Sequence, residues 1–303
     1  MSRIPSHFHF IFGLRPQTEA FHLVYYLCLE SCLRINKPGR VTLYYHFEPY
    51  GKYWDLIASR IELVQVPLCE EVAATHYDCD LIGNKLRYAH HADFIRLDKL
   101  IEYGGVYADI DTLFVRPLPD HLFEHAFVLG REDRIRNPAS GEWSDSLCNA
   151  LMLSEPGSVF ARRWRERMPM ELDGSWSNHS CQLAARLADG IPEAVTIEPP
   201  EVFYPFMWTP EGIRALLEEN HPWPEKALSV HLWAHLWWDR KRRDFSAFYA
   251  DLLTEDYIRN VDTTYNLAAR PFLPPPASGI RASAIRAWRR LTTLRHPRLR
   301  HRR

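Results

Sequence analysis

The chain predicts an α/β fold, a Rossmann-like and mainly parallel sheet covered by helices on both faces. Apolar runs at Phe8–Phe12, Val41–Phe47 and Ile61–Val66 have the length and composition of strands. Helical patterns at Gln17–Asn36 and near Tyr53–Ser59 alternate with them, and a βαβα order builds parallel strands joined by crossover helices. With 303 residues, 46% apolar and 13% aromatic, the chain can bury the core of an enzyme-sized domain. Ligands of such sheets sit in the crevice beyond the carboxyl ends of the strands.

The next helix is predicted over Leu86–Tyr103, with Leu97, Leu100 and Ile101 in its apolar stripe and Gly104-Gly105 ending it. Asp93 and Arg96 are three apart and share a face of it, beside the small residues Ala89 and Ala92. An exposed pair of this kind adds little stability, yet this helix delivers the chain straight into Val106-Tyr107-Ala108-Asp109-Ile110-Asp111. In extended chain Asp109 and Asp111 project to one face and Val106, Ala108 and Ile110 to the other. Two hard oxygen ligands on one spot suit Mg²⁺ or Mn²⁺, which complete their shells with water and the oxygens of a bound diphosphate. Asp-x-Asp alone is common on solvated turns; the preceding helix and double glycine give it weight.

From Ala92-Asp93 and Arg96 through Gly104-Gly105, Tyr107, Asp109 and Asp111 to Pro117, the chain resembles the sugar-nucleotide signature of glycosyltransferase family 32. The α-1,4-galactosyltransferases and the glucosyltransferase domains of large clostridial toxins share that pattern. Three further stretches agree. Ile4-Pro5 to Phe12-Gly13 is similar to the family's first strand, with Phe12 where Trp is usual. Asn149-Ala150 through Ser154-Glu155-Pro156-Gly157 resembles a segment whose Asn faces the donor sugar, and Ser229-Val230-His231-Leu232-Trp233 resembles the closing strand.

The resemblance implies a GT-A fold over 1–270 and retention of anomeric configuration. It implies donor contacts from Phe10, Ile11, Phe12, Asp93, Arg96, Tyr107, Asp109 and Asn149, and a Mn²⁺ or Mg²⁺ site of Asp109, Asp111 and His231, with His235 a rival for the histidine. Asp93, Arg96, Asp109 and Asp111 form the expected catalytic set, and no base or nucleophile stands out. The expected partners are a UDP-sugar and a glycan or lipid-linked glycan; nucleic acid is not among them. The acceptor does not transfer with the pattern, because Ser175-Trp176-Ser177-Asn178-His179-Ser180 replaces the usual stretch before the retained Phe203-Tyr204-Pro205, and His231 to Asp239 departs from the family's ending.

Each residue also has a plainer reading: Phe10 and Phe12 as core aromatics, Asn149 as a turn residue, His231 as a satisfied histidine of a half-buried strand. Their joint occurrence in order favours the site. Two rival functions compete with it. Asp109 to Leu113 also resembles the nucleophile motif of haloacid-dehalogenase phosphatases, but lacks its Gly and the downstream Lys. A noncatalytic sugar-nucleotide-binding protein would not need all four polar residues.

Charge divides the chain. Its formal net charge is −1, yet residues 280–303 hold nine Arg and no acid; taking those nine from 37 basic residues leaves 28 against 38 acids, or −10, for the rest. After a proline-rich linker at 271–279, Ile280, Ala284, Ile285, Trp288, Leu291 and Leu294 recur at helical spacing among the arginines. A basic amphipathic helix of this kind suits an anionic membrane surface. No leader or spanning segment is read from the sequence, and the six cysteines show no zinc spacing or CxxC pair. Together these set the expectation of a cytoplasmic bacterial enzyme at the inner leaflet, with reduced thiols.

Overall fold

The computed structural model describes residues 2–77, 83–136, 141–237 and 252–275. Its strands are β1 (His7–Ile11), β2 (Arg40–Tyr45), β3 (Glu62–Gln65), β4 (Gly105–Ala108), β5 (Thr112–Phe114), β6 (Phe127–Arg131), β7 (Ile135–Arg136), β8 (Trp143–Ser144), β9 (Leu147–Ser154), β10 (Thr196–Glu198) and β11 (Ser229–His231). Seven of them form one sheet in the order β10-β6-β9-β4-β1-β2-β3. Strands β4, β1, β2 and β3 pair in parallel, as do β10 and β6, while β9 runs antiparallel to both neighbours. The mainly parallel α/β prediction holds, with β9 as the one reversed strand of this sheet. All eight residues of β9 are buried, as expected where helices cover both faces of a strand.

The long helix spans Gly83–Tyr103 and buries Phe94, Leu97 and Leu100. Gly104 closes it in the left-handed conformation, φ +62°, its N–H returning to the Leu100 carbonyl. Gly105 follows at φ +104°, so close to β1 that an added Cβ would lie 2.2 Å from the His7 carbonyl oxygen. His9 of β1 locks the same junction: Nε2 donates to the Gly104 carbonyl at 2.7 Å, and Nδ1 accepts from the Tyr44 hydroxyl at 3.0 Å.

One predicted helix is shorter than expected. The Gln17–Asn36 pattern becomes helical only at Leu23, running to Ser31 and then through a wide turn over Cys32–Asn36. The Phe21 N–H is bonded to the Tyr50 carbonyl, and the His22 ring caps the helix at the Val24 N–H, so the preceding residues form a loop instead.

The described residues up to Phe272 form one compact unit; the basic tail predicted at 280–303 lies outside the described residues, as does Cys79. The five described cysteines are unbridged. Among the described residues no helix is long and apolar enough to cross a membrane.

Candidate active site

The site grows from the junction after β4. The two aspartates do not converge by strand alternation, as the sequence predicted: β4 ends at Ala108, and Asp109-Ile110-Asp111 is a tight turn closed by the Thr112 N–H on the Asp109 carbonyl at 2.9 Å. The chain then re-enters β5, which pairs antiparallel with β11 in a separate two-stranded sheet, Thr112 opposite His231. That pairing brings a histidine 120 residues away beside the turn. His231 Nε2 lies 3.0 Å from Asp111 Oδ1 and 3.7 Å from Asp109 Oδ2.

Asp111 is held from three sides. Besides His231, its Oδ2 accepts from the Ala234 N–H at 2.8 Å, and its carbonyl accepts from the Leu232 N–H. Trp233 between these donors adopts φ +52° and anchors its indole N–H on the Phe206 carbonyl, a strained backbone turn that sends the Leu232 N–H to the carbonyl and the Ala234 N–H to the carboxylate of the same aspartate. Burial alone would raise the Asp111 pKa, but the charge and hydrogen bond of His231, with the Ala234 N–H, hold it down at about 2. Burial would likewise lower the pKa of His231, but Asp111 raises it. Asp109 is pushed up by burial and by the neighbouring negative Asp111, against the pull of Arg96 and His231. Tyr107 steadies Asp109 by donating its hydroxyl to Oδ1 at 2.6 Å.

Asp93 and Arg96 are a buried hub, not a surface pair. Arg96 donates to the Asn149 carbonyl at 2.8 Å, reaches Asp93 at 3.2 Å and Asp109 at 3.3 Å, and lies over the Tyr107 ring. Asp93 also accepts from the Asn149 side chain at 2.8 Å and meets His179 Nε2 at 2.9 Å. Burial works against its charge, yet Arg96 and His179 keep its pKa below the ordinary value.

Asp93, Arg96, Tyr107, Asp109, Asp111, Asn149 and His231 line one cavity of about 880 Å³, together with Ile11, Phe12, Glu132, Trp176, Trp208 and His235. Phe12 packs edge-on against Phe21 and at a tilt against Tyr25. Phe10 is fully buried in the core and does not line the cavity. His235 lines it, stacked on Trp176, whereas His231 belongs to the aspartate cluster. Sequence reasoning missed two buried groups. His179 was seen only as part of a divergent stretch, and Glu132 sits in the charged string Arg131-Glu132-Asp133-Arg134, which reads as surface; no local pattern marks either.

The cluster fits a hard divalent ion. One ligand atom each from Asp109, Asp111 and His231 lies within 4.8 Å of the others. Metal–oxygen bonds of 2.0–2.1 Å place octahedral ligands about 3 Å apart at adjacent corners and about 4 Å apart across the ion. Carboxylates suit Mg²⁺ and Mn²⁺ alike, and the imidazole tilts the set toward a transition metal.

Comparison with known proteins places the chain in a family. Residues 62–128 match the family model described as a glycosyltransferase sugar-binding region containing a DXD motif. "Glucan organizing enzyme 1" of Cryptococcus neoformans var. grubii is 30% identical over 278 residues, covering 90% of this chain and 71% of that protein. Among solved structures, the galactosyltransferase LgtC with donor and acceptor sugar analogues is 14% identical at TM-score 0.46, covering 89% of this chain and 98% of its own. The PaToxG glycosyltransferase is 16% identical at TM-score 0.44, covering 62% and 70%. The sequence relative and the matched motif decide the assignment: the chain belongs to the family of DXD glycosyltransferases and is a glycosyltransferase.

Proposed function

We propose that the enzyme moves a hexose or N-acetylhexosamine from a nucleoside-diphosphate sugar, with UDP-sugars preferred, to a glycan or lipid-linked glycan, with retention of configuration. The observation that carries this reading is the convergence of Asp109, Asp111 and His231 on the wall of a cavity that also holds the Asp93–Arg96–Asn149 hub. The three would hold Mn²⁺ or Mg²⁺, which when bound supplies Lewis acidity against the charge growing on the departing diphosphate. Arg96, pinned by Asp93, Asp109 and the Asn149 carbonyl, keeps Asp109 in place and lends positive charge where the diphosphate lies. Phe12 offers an aromatic face to the base. In the transfer, the acceptor oxygen bonds to the anomeric carbon from the face the diphosphate leaves. The anomeric C–O bond gives its electron pair to the diphosphate, whose oxygen takes the acceptor proton.

UDP is preferred because the toxin and galactosyltransferase domains that share the signature use it. The curated relative is fungal and named for glucan, which supports a polysaccharide acceptor and lends nothing to the expected bacterial setting. The basic segment 280–303 would bring the enzyme to anionic lipid at the cytosolic face of a membrane. The test is release of nucleoside diphosphate from a panel of UDP- and GDP-sugars with Mn²⁺. One donor is expected to be hydrolysed, with EDTA abolishing release and Asp111→Ala lowering it at least 100-fold. Release that survives both EDTA and the substitution would reject the reading.

A further inference from the structure

The cavity holds a carboxyl that the mechanism above does not use. Glu132, just beyond β6, is only 8% exposed and lines the same cavity as Asp109, Asp111 and Asn149. Its backbone N–H reaches the Ser146 carbonyl and its Oε1 accepts from the Ser146 hydroxyl at 2.5 Å. Its remaining neighbours there include the thiols of Cys148 and Cys181. Every other buried acid of the site has a cationic partner: Arg96 serves Asp93 and Asp109, and His231 serves Asp111. Among the described residues no cation forms an ion pair with Glu132.

A carboxyl buried without an ion-pair partner is unfavourable, and burial accordingly raises its pKa, with the Ser146 hydroxyl, the two thiols and the charge of His231 offsetting only part. Such a group in a cleft marks a functional position. Its surroundings say what it meets. The hydroxyl and thiols around it suit a neutral, hydroxyl-bearing ligand better than a cation. Glu132 lines the same cavity as Asp109, Asp111 and His231, the residues that would hold the diphosphate, and a sugar esterified to that diphosphate would share this space. Cys181 links it to the hub, its thiol donating to Asn149 Oδ1 at 3.6 Å.

We propose that Glu132 binds the donor's sugar by accepting hydrogen bonds from its hydroxyls, and thereby helps select which sugar is transferred. This rests on the reading of the cavity as a site for nucleoside-diphosphate sugars. The test is calorimetric titration of wild type, Glu132→Ala and Glu132→Gln, each with Mn²⁺, using the sugar nucleotide that wild type hydrolyses and, separately, its parent nucleoside diphosphate. Glu132→Ala should lose tenfold or more in affinity for the sugar nucleotide, while affinity for the diphosphate stays within twofold. Glu132→Gln should recover part of the loss, since its amide oxygen still accepts, and should melt no lower than wild type. Variants that bind the sugar nucleotide as wild type does, or that lose both ligands in equal measure, would overturn the proposal. Should Glu132→Ala not fold, Glu132→Gln decides alone, by a severalfold loss confined to the sugar nucleotide. A wild type that binds neither ligand rejects the reading of the site instead.

Discussion

Arg96 is the residue on which the most site contacts depend. It neutralises two carboxylates, satisfies a buried carbonyl and lies over an aromatic ring. A lysine offers a point charge in place of a planar fork, so Arg96→Lys should leave the Asn149 carbonyl or one carboxylate short of a donor. The expected loss is about 1–3 kcal/mol of stability, with a larger loss of turnover as Asp109 is released. Urea unfolding checks this, and a variant as stable as wild type would contradict it. At this scale the sequence was legible where chemistry repeats in a short string: Asp93, Arg96, Asp109 and Asp111 lie within twenty residues. His179 and Glu132 were not legible, because their burial comes from β6 pairing with β9 and from the stretch after Gly174 folding over the long helix's Asp93. Neither relation leaves a mark at the residue itself.

Among the elements, the junction of the long helix with β4 sets the position of the whole Asp-x-Asp turn. The double glycine was legible as a helix stop; that Gly105 also lets β4 lie against β1 was not, since it depends on a strand nearly a hundred residues earlier. Gly105→Ala meets both a φ of +104° and a Cβ 2.2 Å from the His7 carbonyl oxygen, so the backbone must shift. Strain at a special backbone conformation combined with overpacking predicts about 3 kcal/mol or more of destabilisation. Thermal melting should fall by more than 5 °C relative to wild type, and an unchanged midpoint would show that the junction yields freely. Strand alternation misled at the aspartates for a related reason. The chain leaves the sheet at Ala108 in order to turn toward β11, and a turn of three residues cannot be told from a continuing strand by periodicity alone.

For the whole molecule, the alternation of strands and helices was enough to predict the sheet, while the reversed β9 was not, because a fully buried strand reads the same in either direction. Buried histidines give the molecule a pH signature. Burial is the leading cause that lowers the pKa of His9 to about 3 and of His7, His90 and His91 to about 4. In the unfolded chain they would bind protons near pH 6.5, while the folded form keeps them neutral. Their contribution is therefore intact above pH 6.5 and lost as pH falls toward 4. For His9, wholly buried between Tyr44 and Gly104, the loss at pH 5 is about 2 kcal/mol. Denaturation midpoints measured from pH 7.5 to 4.5 should decline through this range, and His9→Gln should flatten the decline; a flat wild-type profile would contradict it. Three residues from two distant segments, Asp109, Asp111 and His231, would hold a metal with the donor's diphosphate. The most direct test of this is electron paramagnetic resonance titration of Mn²⁺ with protein and UDP, comparing wild type with Asp111→Asn. Bound Mn²⁺ is expected in wild type with UDP, and its release in the variant at unchanged fold; equal Mn²⁺ binding by both proteins would rule out the three-residue metal site.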